Sequence, residues 1–189
     1  MIIATRSRAR IELLKSIGLE FEAIGLDVEE VLLDDPVETI RINTGRKMDR
    51  LIELYGLKDK VLATFDTVIW IDGRVIGKPS DRGEAYRILR MLSGRPHEVY
   101  TGVRVSTSSK SLFEYEVSKV YVDSLDDELI EWYLSKGEYI DAAGGYRIQG
   151  YAKIFIRGIE GCYFNIVGPP INRFIRMLRM VGYGPKIFR

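Results

Sequence analysis

The chain opens Met1-Ile2-Ile3-Ala4-Thr5-Arg6-Ser7-Arg8-Ala9-Arg10-Ile11-Glu12-Leu13-Leu14, and this stretch decides the fold class. Its first five residues read as a short buried strand. Ser7 supplies the side-chain acceptor that a helix N-terminus needs. Ile11, Leu14 and Ile17 then share one helix face, and Gly18 stops it. A strand passing directly into a helix is the opening of an α/β domain. Outward from there the alternation continues. Residues 21–28 read as extended, and a helix is expected over 36–55, weakened in its middle by Thr44-Gly45. Residues 61–65 read as a strand ending at Asp66, and 68–76 as a hairpin turning at Asp72-Gly73.

Asp81 with Glu84 three residues later starts a helix running to Leu92, which Ser93-Gly94-Arg95-Pro96 breaks. Residues 98–107 and 112–122 alternate as two long antiparallel strands. Ser124 is expected to cap the next helix, which ends at Gly137, and two strands are expected within 148–167. Pro169-Pro170 opens a last helix with Ile171, Phe174, Ile175 and Leu178 inward. The expected architecture is a mixed sheet with flanking helices.

The 189 residues carry 28 Lys+Arg against 27 Asp+Glu, a net charge of +1. A dedicated nucleic-acid binder would show a marked basic excess, so none is expected. No apolar run approaches the ~20 residues of a membrane span, and the start lacks a basic segment followed by an apolar one. A cytoplasmic protein without membrane or nucleic-acid partners is the expectation. One cysteine, Cys162, and one histidine, His97, rule out an internal disulfide and a Cys/His zinc site. The basic run Arg173, Arg176, Arg179, Lys186 and Arg189 offers a nucleic-acid contact. Spacing by three instead puts the first three on the solvent face of an amphipathic helix.

Four segments hold residue types suited to chemistry. The Ser7–Arg10 turn places free backbone N–H groups beside arginines, a setting for an anion or a plain basic turn. Asp66-Thr67 offers a general base or a metal ligand, or a turn-forming acid. Gly77-Lys78-Pro79 aims a lysine from a tight exit, although most lone lysines are surface residues. Asp141-Ala142-Ala143-Gly144-Gly145-Tyr146-Arg147-Ile148-Gln149-Gly150 is a glycine-rich loop without Walker or dinucleotide spacing.

Taken in order, these segments and their flanks resemble the Maf family of nucleoside triphosphate pyrophosphatases over nearly the whole chain. The resemblance is carried by the opening Ala4–Leu14 stretch, Val28-Glu29-Glu30, Phe65-Asp66-Thr67-Val68 and Gly77-Lys78-Pro79. Leu92-Ser93-Gly94-Arg95-Pro96-His97 running to Thr101-Gly102-Val103 extends it, as do Asp141 to Gly150 and Asn165-Ile166-Val167-Gly168-Pro169-Pro170. It implies one domain over 1–189, a twisted mixed sheet in two lobes around a nucleotide cleft, as in inosine-triphosphatase-like folds. The implied reaction splits a nucleoside triphosphate between its α and β phosphates, giving a monophosphate and pyrophosphate and clearing unwanted nucleotides.

By the same resemblance Asp66 is the proton acceptor, and Glu30 with Asp66 holds a divalent cation, Mg²⁺ or Mn²⁺. Ser7, Arg10 and Lys78 contact phosphates, joined by Lys47 or, in a stricter register, Arg46. Thr67 and Gln149 fall at specificity positions of the subgroup that takes dTTP and UTP, which favours these or modified pyrimidine nucleotides. A homodimer is implied. The chain departs from the pattern at Arg8 and Ala9 (family Pro-Arg), at Ala142 (Lys) and at Thr64-Phe65 (Gly-Ala). The alternative of a different class is a nucleotide-binding regulatory protein with little turnover, linked to septum and division control.

Overall fold

The computed structural model describes residues 1–184. In chain order the elements are β1 (Ile2–Ala4), α1 (Arg8–Ser16), β2 (Glu22–Ile24), α2 (Pro36–Tyr55), β3 (Leu62–Ile71) and β4 (Arg74–Ile76). There follow α3 (Arg82–Leu92), β5 (Pro96–Ser106), β6 (Ser111–Val122), α4 (Asp127–Ser135), β7 (Ile156–Glu160), α5 (Tyr163–Val167) and α6 (Ile171–Met180). Two short 3₁₀ turns, Ala143–Gly145 and Tyr151–Ile154, lie between α4 and β7.

The strands form one sheet in the order β2-β1-β3-β5-β6-β7, with β4 pairing on β3. β1 runs parallel to β2 and β3, and every other pairing is antiparallel. The fold is therefore α/β around a mixed sheet, as the alternation of elements predicts.

Local chemistry sets the boundaries. Ser7 Oγ accepts from Arg10 N at the start of α1. Asp35 accepts from Val37 N and Glu38 N, with Pro36 at the first position of α2. Asp72 and Gly73 both take positive φ, 50° and 73°, which gives the two-residue hairpin between β3 and β4 its turn.

Several boundaries differ from the sequence pattern, each for a tertiary reason. α2 is unbroken: Thr44 Oγ1 donates back to Ile40 O at 2.7 Å, and the Thr44 carbonyl accepts from Thr64 Oγ1 at 2.8 Å. β3 does not stop at Asp66 but runs through it to Ile71, with Asp66 opposite Gly102 of β5. The extended segment over 21–28 is a strand only at Glu22–Ile24.

Asp126, not Ser124, caps α4 by accepting from Leu129 N at 2.8 Å: the helix starts only at Asp127, and the backbone just before it is bound to Ser93 Oγ through Leu125 N. One strand, β7, replaces the two expected over 148–167. Tyr151 N is bound by Glu138 Oε2 at 2.8 Å, and Tyr163–Val167 closes into a helix.

Side chains alternate across the sheet and fill separate cores. Ile3, Leu14, Ala63, Phe65, Phe174, Met177 and Leu178 pack between α1, α6 and one face. Ile2, Ala4, Met48, Leu51 and Leu62 pack under α2 on the other. The largest cluster lies toward α3 and α4, with Ile69, Leu89, Val120, Tyr133 and Phe155 among its members.

His97, at 2 % exposure, sits beside that cluster with Nε2 2.8 Å from Tyr146 Oη, and its Nδ1 has no partner among the described residues. Desolvation lowers its pKa from 6.5 to about 4. The unfolded chain therefore binds a proton at a higher pH than the folded one. The stability present above pH ~6.5 is lost as pH falls toward ~4, by about 3 kcal/mol for this one group. We expect His97→Gln to flatten the acid side of the stability–pH curve from urea unfolding between pH 4 and 6.5. An identical slope in variant and wild type would contradict the assignment.

Candidate active site

β1 ends at Ala4, paired with Thr64, whereas β3 runs on to Ile71 and meets β4 only from Ile69. Residues 65–68 thus leave one backbone edge of β3 free beyond the carboxyl end of β1. α1 leaves that end over one face of the sheet and α2 covers the other. A crevice opens where the connections diverge, the usual ligand position in an open α/β sheet. Here it is a cleft of about 480 Å³. Ser7, Arg10, Glu30, Lys47, Asp66, Thr67, Lys78 and Gln149 all line it, so the structure gathers every predicted site residue into one place.

On the α2 side, Asp66 is 5 % exposed and both carboxylate oxygens are occupied. Oδ1 accepts from Lys47 Nζ at 2.6 Å, and Oδ2 accepts from Asn43 Nδ2 at 3.0 Å. Lys47 Nζ also pairs with Glu30 Oε1 at 2.6 Å, and Lys78 Nζ stands 3.9 Å from Glu30 Oε2. Burial alone would raise the Glu30 pKa, but Lys47, Lys78 and Arg10 together hold it below its usual value.

Glu30 lies in a segment without regular structure, which side chains of α2 hold in place. Thr39 Oγ1 accepts from Leu33 N, Asn43 bonds both N and O of Val31, and Arg46 Nη1 donates to Glu29 O. Lys47 therefore enters the cleft, and Arg46 anchors the loop behind it.

On the opposite face, Arg10 packs over the Phe65 ring at 5.0 Å. Its guanidinium donates to Gly168 O from Nε and Nη2 (3.4 and 3.3 Å), to Thr5 Oγ1 (3.2 Å) and to Thr67 Oγ1 (3.5 Å). All four bonds are long and the three acceptors are neutral. Desolvation pulls the Arg10 pKa down to about 10, with Asp66 and Glu30 opposing the fall. A half-buried cation held only by neutral acceptors is open to an anion.

The Asp141–Gly150 loop forms the far wall. Gly144 takes φ +69°, and a Cβ there would lie 1.9 Å from Ile69 Cδ1, so only glycine fits. Its N–H donates to Gly77 O at 2.8 Å, which ties this wall to the Lys78 segment. Tyr146 reaches His97, and Arg147 donates to the carbonyls of Glu138 and Ile140. Gln149 stands at the end of this wall.

The departures from the family pattern also have places. Phe65 points toward α6, where it meets Phe174 edge-on at 5.0 Å, so its bulk lies away from the Asp66 carboxylate; Thr64 shares the α2 face with Asp66 and ties to the Thr44 carbonyl. Arg8 is exposed at the cleft mouth, loosely paired with Glu12 at 3.8 Å.

Asn43, which the family motif Asn43-x-x-x-Lys47 uses only to place Lys47, also joins Asp66 to the loop carrying Glu30. Four residues before Lys47 on α2, it shares that residue's helix face. The basic C-terminal run stays on the solvent side of α6, with Arg176 and Arg179 exposed and Arg173 and Arg176 paired to β6. Arg173 bonds Glu114 and Glu116, Arg176 bonds Glu114, and Lys186 and Arg189 lie outside the described residues.

Charge concentrates in the cleft. Arg6, Arg8, Arg10, Lys47, Lys78 and Arg147 line it with Asp27, Glu30, Asp66 and Asp141, six cations against four acids and a net +2. The whole chain carries only +1. The Glu30 and Asp66 oxygens each lie 2.6 Å from one ammonium nitrogen. This pair already embraces a cation through hard oxygen donors, which suits Mg²⁺ or Mn²⁺. Among the described residues no cluster of three or more His, Cys, Asp or Glu side chains exists, so further ligands would come from phosphate and water.

Comparison with known proteins follows the same lines. The family model described as Maf-like protein matches residues 1–181. The chain is 40% identical over 187 residues to a dTTP/UTP pyrophosphatase of Pelotomaculum thermopropionicum, covering 97% of each chain. It is 42% identical over 184 residues to a dTTP/UTP pyrophosphatase of Carboxydothermus hydrogenoformans, covering 96% of this chain and 98% of that one. Among solved structures, the Staphylococcus aureus Ham1 protein superposes with a TM-score of 0.56 at 13% identity, covering 95% of this chain and 98% of that one. That likeness speaks for the fold alone. With its opening turn, acid pair, lysines and glycine-rich wall gathered around one cleft, the chain belongs to the Maf-like protein family.

Proposed function

We propose that this protein is a nucleoside triphosphate pyrophosphatase that cleaves between the α and β phosphates, with dTTP, UTP or modified pyrimidine nucleotides as its substrates. One observation carries the reading. A buried carboxylate, Asp66, is held between Asn43 and Lys47 at the edge of a cleft where Arg10, Lys47 and Lys78 converge. Phosphoanhydride hydrolysis asks chiefly for positioning and for cations that stabilise developing charge. Asp66 takes a proton from water as the water oxygen bonds to phosphorus. The α–β bridging bond then breaks, and its electron pair leaves on pyrophosphate. Arg10 and Lys78 hold the phosphates with Ser7 at the start of α1, and Lys47 fixes the carboxylate.

Glu30 and Asp66 are the residues that would hold a divalent cation, which when bound neutralises charge on the leaving group. Thr67 and Gln149, on opposite walls, are the base-reading positions; naming of relatives as dTTP/UTP pyrophosphatases supports this choice. No helix among the described residues is long and apolar enough to cross a membrane, and a cytoplasmic site suits a nucleotide substrate. A homodimer fits the exposed Ile154, Ile159, Tyr163 and Phe164 around β7, whose outer edge has no strand partner among the described residues.

Incubation with a panel of nucleoside triphosphates and Mg²⁺ or Mn²⁺ should release pyrophosphate and the matching monophosphate, fastest from the pyrimidine nucleotides. Tight binding with no product would instead favour the regulatory, low-turnover reading.

A further inference from the structure

The motif Asn165-Ile166-Val167-Gly168 contributes no side chain to the chemistry above, yet Asn165 is 0 % exposed and heavily bonded. Its Nδ2 donates to Val99 O and to Ser118 Oγ, each at 3.0 Å. Ser118 Oγ also accepts from Cys162 N and donates to Cys162 O, both at 3.0 Å, so β5 and β6 pin the start of α5. The backbone carbonyl of Asn165 accepts the Thr101 hydroxyl at 2.9 Å.

That last bond sets a direction. A threonine hydroxyl has one proton to give. Thr101 gives its proton to Asn165, so across the 3.0 Å contact between Thr67 and Thr101 it is Thr67 that donates. The Thr67 oxygen then faces Arg10 with lone pairs only, and Arg10 Nη2 donates to it at 3.5 Å. A second route reaches the same group. α5, anchored by Asn165, ends at Gly168, whose carbonyl accepts both Nε and Nη2 of Arg10. Gly168 has φ +124°, and a Cβ there would stand 3.0 Å from Arg10 Nη2.

Resting on the reading of Arg10 as a phosphate contact, we infer that Asn165 and Thr101 are positioning residues for Arg10. They act through the Thr67 relay and the Gly168 carbonyl to hold the guanidinium in its aim. No single bond in the set is short enough to do this alone, which is why both routes converge on one hub.

The test is side-chain NMR of Arg10, with its Nε–H resonance assigned by its loss in Arg10→Lys. In Thr101→Val the Arg10 Nε–H should exchange with solvent about fivefold faster than in wild type, the effect of one net hydrogen bond. Thr101→Ser should stay near wild type. A role for Thr101 in packing alone, with its hydroxyl idle, predicts the reverse order, since valine fills the site and serine leaves a methyl-sized gap. Unchanged Arg10 exchange in Thr101→Val overturns the inference.

A second arm measures inorganic tripolyphosphate affinity by calorimetry in wild type, Thr101→Val, Arg10→Lys and the double variant. Thr101→Val should weaken it about fivefold, and that loss should vanish in the Arg10→Lys background. Additive losses overturn the inference. Altered Arg10 exchange with no tripolyphosphate binding by any form would support the relay and sink the phosphate reading of Arg10.

Discussion

Asp66→Asn is expected to lower turnover about 10³-fold while leaving nucleotide affinity within a fewfold of wild type, the range of general-base removal. The two carboxylate oxygens receive separate donors, Lys47 Nζ at 2.6 Å and Asn43 Nδ2 at 3.0 Å. An amide keeps the shape but must turn its NH₂ toward one of them. The substitution therefore removes the proton acceptor and also sets donor against donor, at a stability cost of about 1–3 kcal/mol. The groups on the other face of β3 are untouched, because Arg10 is held by Gly168, Thr5 and Thr67. Single-turnover kinetics paired with calorimetric binding of a pyrimidine triphosphate separates the two effects. Equal pyrophosphate release by variant and wild type would remove Asp66 from the catalytic role.

Asp66 also shows where sequence reading succeeds and where it stops. The acid stood out because acidic residues are depleted in strands, and that same rule ended the strand too early. What lets β3 continue is a pair of partners 19 and 23 residues away, which no local pattern reports. Caps were legible at Ser7 and Asp81, where a side chain meets an N–H three residues on. Ser124 is no cap because the helix starts later, at Asp127, and Ser93, far off in sequence, binds the backbone between them at Leu125 N.

The 148–167 stretch looked like strands from its apolar spacing. Its backbone is instead satisfied at Tyr151 by Glu138 and at Cys162 by Ser118, both long-range. The motifs located the cleft, since each supplies its own residue. Asn43, Thr101 and Asn165 organise those residues across elements, and pairing across elements is set by sheet register rather than by spacing.

Lys47→Met should lower kcat/KM about 10²-fold and, in the opposite sense, tighten Mn²⁺ binding in the absence of nucleotide. In the folded protein one ammonium stands 2.6 Å from both Glu30 and Asp66. Removing it leaves two carboxylates facing each other, with Lys78 3.9 Å from Glu30 as the nearest remaining lysine partner. Asp66 then becomes a buried charge without its counter-ion, which costs about 3–5 kcal/mol of stability. A divalent cation can replace the lost charge, so thermal unfolding of the variant should rise with Mn²⁺ far more than that of wild type. Catalysis does not recover with it, because the ammonium that held the Asp66 carboxylate in place at 2.6 Å is gone. Mn²⁺ titration by electron paramagnetic resonance, run beside melting curves, reads both halves. A variant that loses activity but gains neither Mn²⁺ affinity nor Mn²⁺-dependent stability would show that Glu30 and Asp66 are not a cation site.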